Sequence, residues 1–143
     1  MKILVNTIST KKNAGGAFQI AYNFLLKTLH YEDKNIDWFY ITSSDLHEVL
    51  GSYFRNIINT RYYVFPTQPD FLGSYNRVKK EIKLIEAIIN PDIVYSITAP
   101  SYFSFRTPEV MRFTNPWVTH PNKYSWSVLS RFSKLKTKLY CWN

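Results

Sequence analysis

A glycine-bearing loop near the start of the chain has the residue types best suited to binding an anion. Residues 1–9 read as a buried strand, residues 11–16 as a loop ending in Gly15 and Gly16, and residues 17–29 as a helix. Glycine lacks a Cβ, so it adopts positive φ angles and lets a ligand approach the backbone. The helix start adds free N–H groups and the positive end of the helix dipole. This pattern predicts a phosphate-binding loop. The alternative is an ordinary tight turn, because the full dinucleotide and triphosphate fingerprints are absent.

Hydroxyl groups and one histidine form a second set of candidate groups. Ser96, Thr98 and Ser101 lie at the end of a predicted strand, where their hydroxyls could bind a ligand or cap the next segment. His120 lies in a predicted loop, where it could transfer a proton or bind a hydroxyl, or else be solvated or packed. His30 and His47 are expected on helix surfaces. No histidine pair has metal-ligand spacing, so no metal site is predicted.

Strand and helix patterns alternate along the chain. Further strands are predicted at residues 36–42, 59–65, 92–98 and 109–114, and further helices at 44–50, 74–89 and 126–140. Ser44 or Asp45 is expected to cap the helix 44–50, and Gly51 to end it. Such alternation predicts an α/β fold, a Rossmann-like, doubly wound and mainly parallel sheet with helices on both faces. Ligands bind such sheets beyond the carboxyl ends of the strands.

Length and composition narrow the class of protein. The 143 residues predict a single domain over 1–143, and the net charge of +8 favours anionic partners: nucleic acid, an acidic membrane face or phosphorylated small molecules. A single cysteine fits a reducing compartment, and no apolar run approaches the length of a membrane span. A cytoplasmic protein is therefore expected.

The helix predicted at 126–140 has an apolar side and a basic side. Its basic residues are Arg131, Lys134, Lys136 and Lys138. Such a helix either lies on an anionic membrane surface, which would make the protein peripheral at the inner face of the membrane, or packs on the core with a solvated basic face.

Several segments together resemble a known family. They are residues 1–5 with Gly15 and Gly16, the helix segment 23–26, the strand 90–94 entered through Pro91 and Asp92, and the strand 107–113. Their order and spacing resemble the N-terminal domain of GT-B-fold glycosyltransferases, particularly the family 4-like group that builds bacterial surface polysaccharides.

This resemblance implies an enzyme that transfers a sugar from a nucleotide-diphosphate sugar donor to a glycan or lipid-linked acceptor, without a further cofactor. It places the backbone amides of Gly15, Gly16 and Ala17 near the donor's diphosphate, and the acceptor near Ser96, Thr98 and Ser101. In the family a separate C-terminal domain holds most of the donor. No such domain is evident here, so the chain is expected to be a fragment, a truncated product or half of a split enzyme, and inactive alone.

The chain departs from the family at two positions. Many relatives have His then Asp at the end of the fifth strand, where this chain has Thr114 and Asn115, and the fourth strand often has a His in place of Tyr95. Asn115 and His120 remain the candidate catalytic residues.

Two other classes of function stay open. One is a non-catalytic binding module or partner subunit of a split glycosyltransferase. The other is a basic nucleic-acid-binding domain, but the chain carries no recognised motif of that class, so nucleic acid is not an expected partner.

Overall fold

Strands and helices alternate through the part of the chain that the computed structural model describes, which is residues 1–31, 35–58, 60–67, 73–98, 101 and 103–112. All of these belong to one compact unit, Met1–Arg112. The strands are β1 (Lys2–Thr7), β2 (Asp37–Ser43), β3 (Tyr62–Phe65), β4 (Ile93–Ser96) and β5 (Glu109–Met111). The helices are α1 (Gly16–Leu29), α2 (Ser44–Leu50) and α3 (Tyr75–Ile89), with a short 3-10 turn at Arg55–Ile57. Two parts of the sequence prediction, the end of the fifth strand at residues 113–114 and the helix at 126–140, lie outside the described residues.

All five strands pair in parallel, in the order β3-β2-β1-β4-β5. This confirms the predicted α/β fold with a parallel, Rossmann-like sheet. The central strand β1 is fully buried from Leu4 to Thr7. Its nearly continuous apolar sequence is typical of a parallel strand covered on both faces.

The helices bury apolar side chains on both faces of the sheet. On one face, α3 packs an apolar stripe on residues of β1, β2 and β4, in a cluster that includes Val78, Ile82, Ile89, Leu4, Ile41 and Val94. On the other face, α1 and α2 pack on the same strands, in a cluster that includes Ala21, Leu25, Leu46, Val5, Tyr40 and Ile97. The 3.6-residue period of the helices and the two-residue period of the strands together produce these two layers.

The two ends of helix α2 differ in detail from the sequence prediction. The Ser43 hydroxyl caps it by accepting the Leu46 N–H at 3.2 Å, so the expected caps, Ser44 and Asp45, are wrong by one and two residues. Gly51 follows the helix as expected, but at an ordinary φ of −57°. A Cβ on Gly51 would lie 2.5 Å from His47 Cε1, so the position needs glycine for space. His47 is half-buried, which corrects its expected place on a helix surface.

Three aromatic rings in mutual contact lie in the core on the α1 face of the sheet. Phe54 and Tyr62 stack with centroids 4.4 Å apart, and Tyr40 meets Phe54 edge-on at 5.2 Å. The Tyr40 hydroxyl donates to Thr28 Oγ1 at 3.2 Å, whereas the Tyr62 hydroxyl lies near Thr42 without hydrogen-bond geometry. Burial raises the pKa of both Tyr40 and Tyr62 from 10.0 to about 12.

A buried carboxylate on α3 holds the approach to β5. Glu86 is only 5% exposed, and its Oε1 accepts the backbone N–H groups of Arg106 at 2.7 Å and Thr107 at 2.9 Å. The loop before β5 therefore finds its hydrogen-bond acceptor on a helix rather than within the sheet.

We expect Tyr62→Phe and Tyr40→Phe to have different effects on the free energy of unfolding. Tyr62→Phe removes a buried hydroxyl that has no hydrogen bond, so the free energy of unfolding at pH 7 should stay level or rise by about 1 kcal/mol. Tyr40→Phe loses the bond to Thr28 and should lower it by about 1 kcal/mol. Urea unfolding measures both changes, and the reverse order would contradict this account.

The same two tyrosines make the stability depend on pH. Because the pKa of each hydroxyl is raised in the folded state, the contribution of the two neutral hydroxyls to stability is complete below pH 10.0 and is lost as the pH rises towards about 12.

Replacing Glu86 tests its role in holding β5. Glu86→Ala leaves two N–H groups without their acceptor and should lower the free energy of unfolding by about 3 kcal/mol. Glu86→Gln retains an oxygen for both N–H groups and should cost about 1 kcal/mol, since it loses only the charge. Equal losses in the two variants would show that the charge, rather than the acceptor geometry, matters.

Candidate functional site

The order of the strands defines one place in the sheet where a ligand can enter. The chain proceeds from β1 to β2 and β3 on one side, and then crosses to β4 and β5 on the other side of β1. The loops after β1 and β4 therefore diverge at their carboxyl ends, and open α/β sheets bind ligands in the crevice at this point. The glycine loop follows β1, and Thr98 follows β4.

Three hydroxyl groups join the ends of β1 and β4. Ser9 Oγ lies 2.6 Å from Thr98 Oγ1 and 3.1 Å from the Thr98 carbonyl oxygen. Thr10 Oγ1 lies 3.1 Å from Thr98 Oγ1. The structure thus connects the predicted residue Thr98 to the loop that carries Gly15 and Gly16. Ser9 and Thr10 belong to the predicted edge of the sheet, but sequence reasoning did not single them out.

A buried polar network lies next to these hydroxyls. Asn6 Nδ2 donates to Ser96 Oγ at 2.9 Å and to Ser101 Oγ at 3.2 Å, while Asn6 Oδ1 accepts the Ile8 N–H at 3.2 Å. Ser96 Oγ in turn donates to a carboxylate oxygen of Glu109. Ser96 is fully buried, so within this structure its hydroxyl serves the network, whereas Thr98 and Ser101 are half-buried. Acceptor binding by Ser96, Thr98 and Ser101 stays a prediction.

The glycine loop has the backbone geometry that its sequence predicts. Gly15 is the residue before α1 and has φ 55°, a left-handed value that favours glycine. A Cβ built on Gly16 would meet no atom within 4 Å, so the space in front of this residue is open. No described side chain caps the start of α1, and its first turn holds no acidic residue. The positive end of the helix dipole is therefore not neutralised by a capping side chain or by an acidic residue of the first turn.

The three predicted phosphate contacts are not equivalent. The Ala17 N–H donates to the Ala14 carbonyl oxygen at 3.2 Å, so this amide is already used within the loop. Within the described residues, neither the Gly15 N–H nor the Gly16 N–H makes a hydrogen bond. A Cβ built on either glycine would meet no atom within 4 Å, so both amides combine a free donor with open space.

Helix α2 anchors the other end of the same loop. Asp45 Oδ2 accepts the Lys12 N–H at 2.8 Å, and Asp45 Oδ1 accepts the Thr67 hydroxyl at 2.7 Å. These two bonds, the one from Lys12 first, lower the pKa of Asp45 below its ordinary value of 3.8. The Lys12 ammonium group pairs with Glu48 at 2.9 Å, on a surface where both side chains are exposed. Asp45 thus bonds both this loop and Thr67, which lies two residues after the end of β3.

The remaining candidate features do not belong to this edge of the sheet as the structure describes it. The predicted catalytic residues, Asn115 and His120, lie outside the described residues. A concavity of about 640 Å³ lies at the opposite, amino end of the sheet, and its lining includes Lys80, Lys83, Glu86, Asn90, Arg106 and Thr107. In the described part of the chain, no group of three or more His, Cys, Asp or Glu residues could hold a metal ion. No helix among the described residues is both long and apolar enough to cross a membrane.

Comparison of the chain with models of protein families, with curated proteins and with solved structures finds no match in any of the three. The geometry of the site is therefore the basis for any functional conclusion.

Replacing Asp45 tests whether this carboxylate holds the loop. At neutral pH, Asp45→Asn should lower the free energy of unfolding by about 1 kcal/mol, since it weakens two hydrogen bonds. Because the folded pKa is lowered, the contribution of the carboxylate is present above pH 3.8 and is lost as the pH falls through the lower folded value. The difference in the free energy of unfolding between wild type and Asp45→Asn, measured by urea unfolding, should therefore narrow below pH 3.8.

Glu48→Gln provides the matched control for Asp45→Asn. It removes a carboxylate that contacts only the exposed Lys12 ammonium group, so a loss below about 0.5 kcal/mol is expected. A larger loss in Glu48→Gln than in Asp45→Asn would assign the anchoring to the salt bridge instead.

Proposed function

We propose that this chain is the acceptor-side half of a glycosyltransferase that uses a nucleotide-diphosphate sugar as donor and a glycan or lipid-linked molecule as acceptor. The observation that carries the proposal is the loop between β1 and α1. Its glycine at φ 55° precedes an uncapped helix start and faces open space, at the point where β1 and β4 diverge. A parallel α/β sheet serves many chemistries, so this local geometry, rather than the fold, supports the assignment.

In this proposal the loop acts on the donor through electrostatics. The Gly16 N–H and the positive end of α1 stabilise the negative charge that develops on the departing nucleoside diphosphate. Such groups work best when they are held in position before the reaction, and the bonds of Ser9 to Thr98 and of Lys12 to Asp45 hold the loop at two points. The half-buried hydroxyl of Thr98 lies close to the same loop, where it can meet a hydroxylated acceptor.

A second candidate is a non-catalytic subunit that works with a separate partner protein. It is favoured by Val110 and Met111, which are 49% and 38% exposed on the outer strand β5. Neighbouring exposed apolar residues on an edge strand can mark a surface that another protein covers. Attachment to an anionic membrane rests on residues 126–140, which lie outside the described residues, and it stays a prediction.

The proposal is tested by titrating the full chain with a nucleoside diphosphate and following backbone amide signals by NMR. Weak binding is expected, with shifts at Gly15, Gly16 and Thr98. The parent nucleoside should cause much smaller shifts, since it lacks the phosphates. Shifts confined to other residues, or equal shifts with the nucleoside, would contradict the proposed site.

Two variants of Gly16 sharpen this test. Gly16→Val places a branched side chain in the open space and should weaken binding at least tenfold, or about 1.4 kcal/mol. Gly16→Ala adds only a Cβ that meets no atom within 4 Å, so it should fold normally and bind more tightly than the valine variant. Equal affinity of wild type and Gly16→Val would exclude this loop as the phosphate site.

A further inference from the structure

Arg112 directly follows β5 at the carboxyl edge of the sheet, and its positive charge is not part of the site described above. Its backbone N–H extends the ladder by donating to the Ser96 carbonyl oxygen at 2.9 Å. Its side chain is partly buried, and among the residues that the structure describes its buried Nη1 has no hydrogen-bond partner. An unpaired buried donor is costly, and more so when it is charged, so a ligand that pairs with it gains affinity.

No carboxylate among the described residues supplies this partner. Each Asp and Glu residue in the described part of the chain contacts another group, and the pairs are Asp37 with Arg61, Asp45 and Glu48 with Lys12, Glu81 with Arg77, Glu86 with Arg106, Asp92 with Lys2, and Glu109 with Ser96. Residues 113–143 contain no Asp or Glu, although they contain five Lys and Arg residues. Glu32, Asp33 and Asp70 are the only other side-chain carboxylates in the sequence.

The register of β5 places Arg112 on the face of the sheet that α1 covers. Val110 pairs with Tyr95, and the Tyr95 ring packs against Phe24 of α1 at 5.2 Å. Side chains alternate along a strand, so Arg112 shares the face of Val110, opposite Glu109. Since α1 also begins at the carboxyl edge, Arg112 and the start of α1 share one edge and one face. Strands β1 and β5 are two strand spacings apart, or about 10 Å.

We propose that Arg112 binds a phosphate group of the ligand at this edge, together with the Gly16 loop. This inference rests on the proposed ligand site but not on the sugar chemistry. A guanidinium group donates two parallel hydrogen bonds to phosphate oxygens, which an ammonium group does not do. The phosphate belongs either to a nucleoside diphosphate or to an isoprenyl diphosphate of a lipid-linked acceptor, and both present the same chemistry to Arg112.

Inorganic pyrophosphate is the probe for this site, and binding to the full chain is measured by calorimetry and by the rise in Tm that a bound ligand causes. Arg112→Gln should weaken pyrophosphate binding at least tenfold, and Arg112→Lys should weaken it by less. Arg106→Gln is the matched control, because it removes the same charge from an exposed residue at the amino edge of the sheet, and it should bind like wild type. An equal loss in Arg106→Gln and Arg112→Gln would show an effect of net charge alone and would overturn the inference.

The stability of Arg112→Gln without ligand gives an independent readout. The variant loses an unpaired charge, so its Tm should equal or exceed that of wild type. A lower Tm would show that Arg112 already has a partner within the chain, and would overturn the inference. If the glutamine variant does not fold, Arg112→Lys and the Tm rise of wild type with pyrophosphate still decide the question.

The two sources of phosphate are separated by titrating a nucleoside diphosphate and farnesyl diphosphate in parallel. Tighter binding of the first, lost in both Arg112→Gln and Gly16→Val, supports the inference and the donor site together. Tighter binding of the second, lost in Arg112→Gln but not in Gly16→Val, supports Arg112 as an acceptor-phosphate residue and contradicts the assignment of the loop. Nucleoside diphosphate binding that is lost in Gly16→Val but unchanged in Arg112→Gln would overturn the inference and leave the proposed function intact.

Discussion

The side-chain amide of Asn6 is the constraint on which the carboxyl edge of the sheet depends. Asn6 is 1% exposed, and it uses both donors and its acceptor, on Ser96, Ser101 and the backbone of Ile8. A buried amide that lost one of these partners would carry a desolvation penalty of about 1–3 kcal/mol. The bonds therefore fix the register of β1 against β4 and the path that the chain takes as it leaves both strands. The glycine loop, Thr98 and the neighbouring β5 all take their positions from this point.

Charge is distributed unevenly around this framework. The described carboxylates mostly serve internal contacts, on backbone N–H groups, hydroxyls or nearby lysine and arginine side chains. Arg112 follows the carboxyl end of β5, and α1 begins at the same edge without an acidic residue in its first turn. In the proposed function, positive charge at this edge attracts phosphate-bearing ligands over distances of about 10 Å at moderate salt.

The sequence indicated the elements far better than the contacts between them. The apolar run of β1 and the apolar stripe of α3 indicated which residues are buried, and the glycine at position 15 indicated the positive φ that the structure has there, 55°. The network around Asn6 was not predictable, because Asn6 and Ser96 are separated by 90 residues and meet only through the strand order. The cap of α2 was misplaced because several neighbouring residues there carry a side-chain oxygen, and only the backbone angle of Ser43 selects among them.

The packing of Trp38 bears on how the chain can be studied. Its indole contacts the rings of Phe24 and Tyr31, with centroids 6.0 and 6.4 Å away, so its emission depends on the contact of α1 with β2. The other three tryptophans, at positions 117, 126 and 142, all follow Arg112 in the sequence. Changing those three to phenylalanine leaves Trp38 as the single tryptophan, so selectively excited tryptophan emission reports on the contact of α1 with β2. Changing only Trp38 leaves the complementary signal from the remainder of the chain.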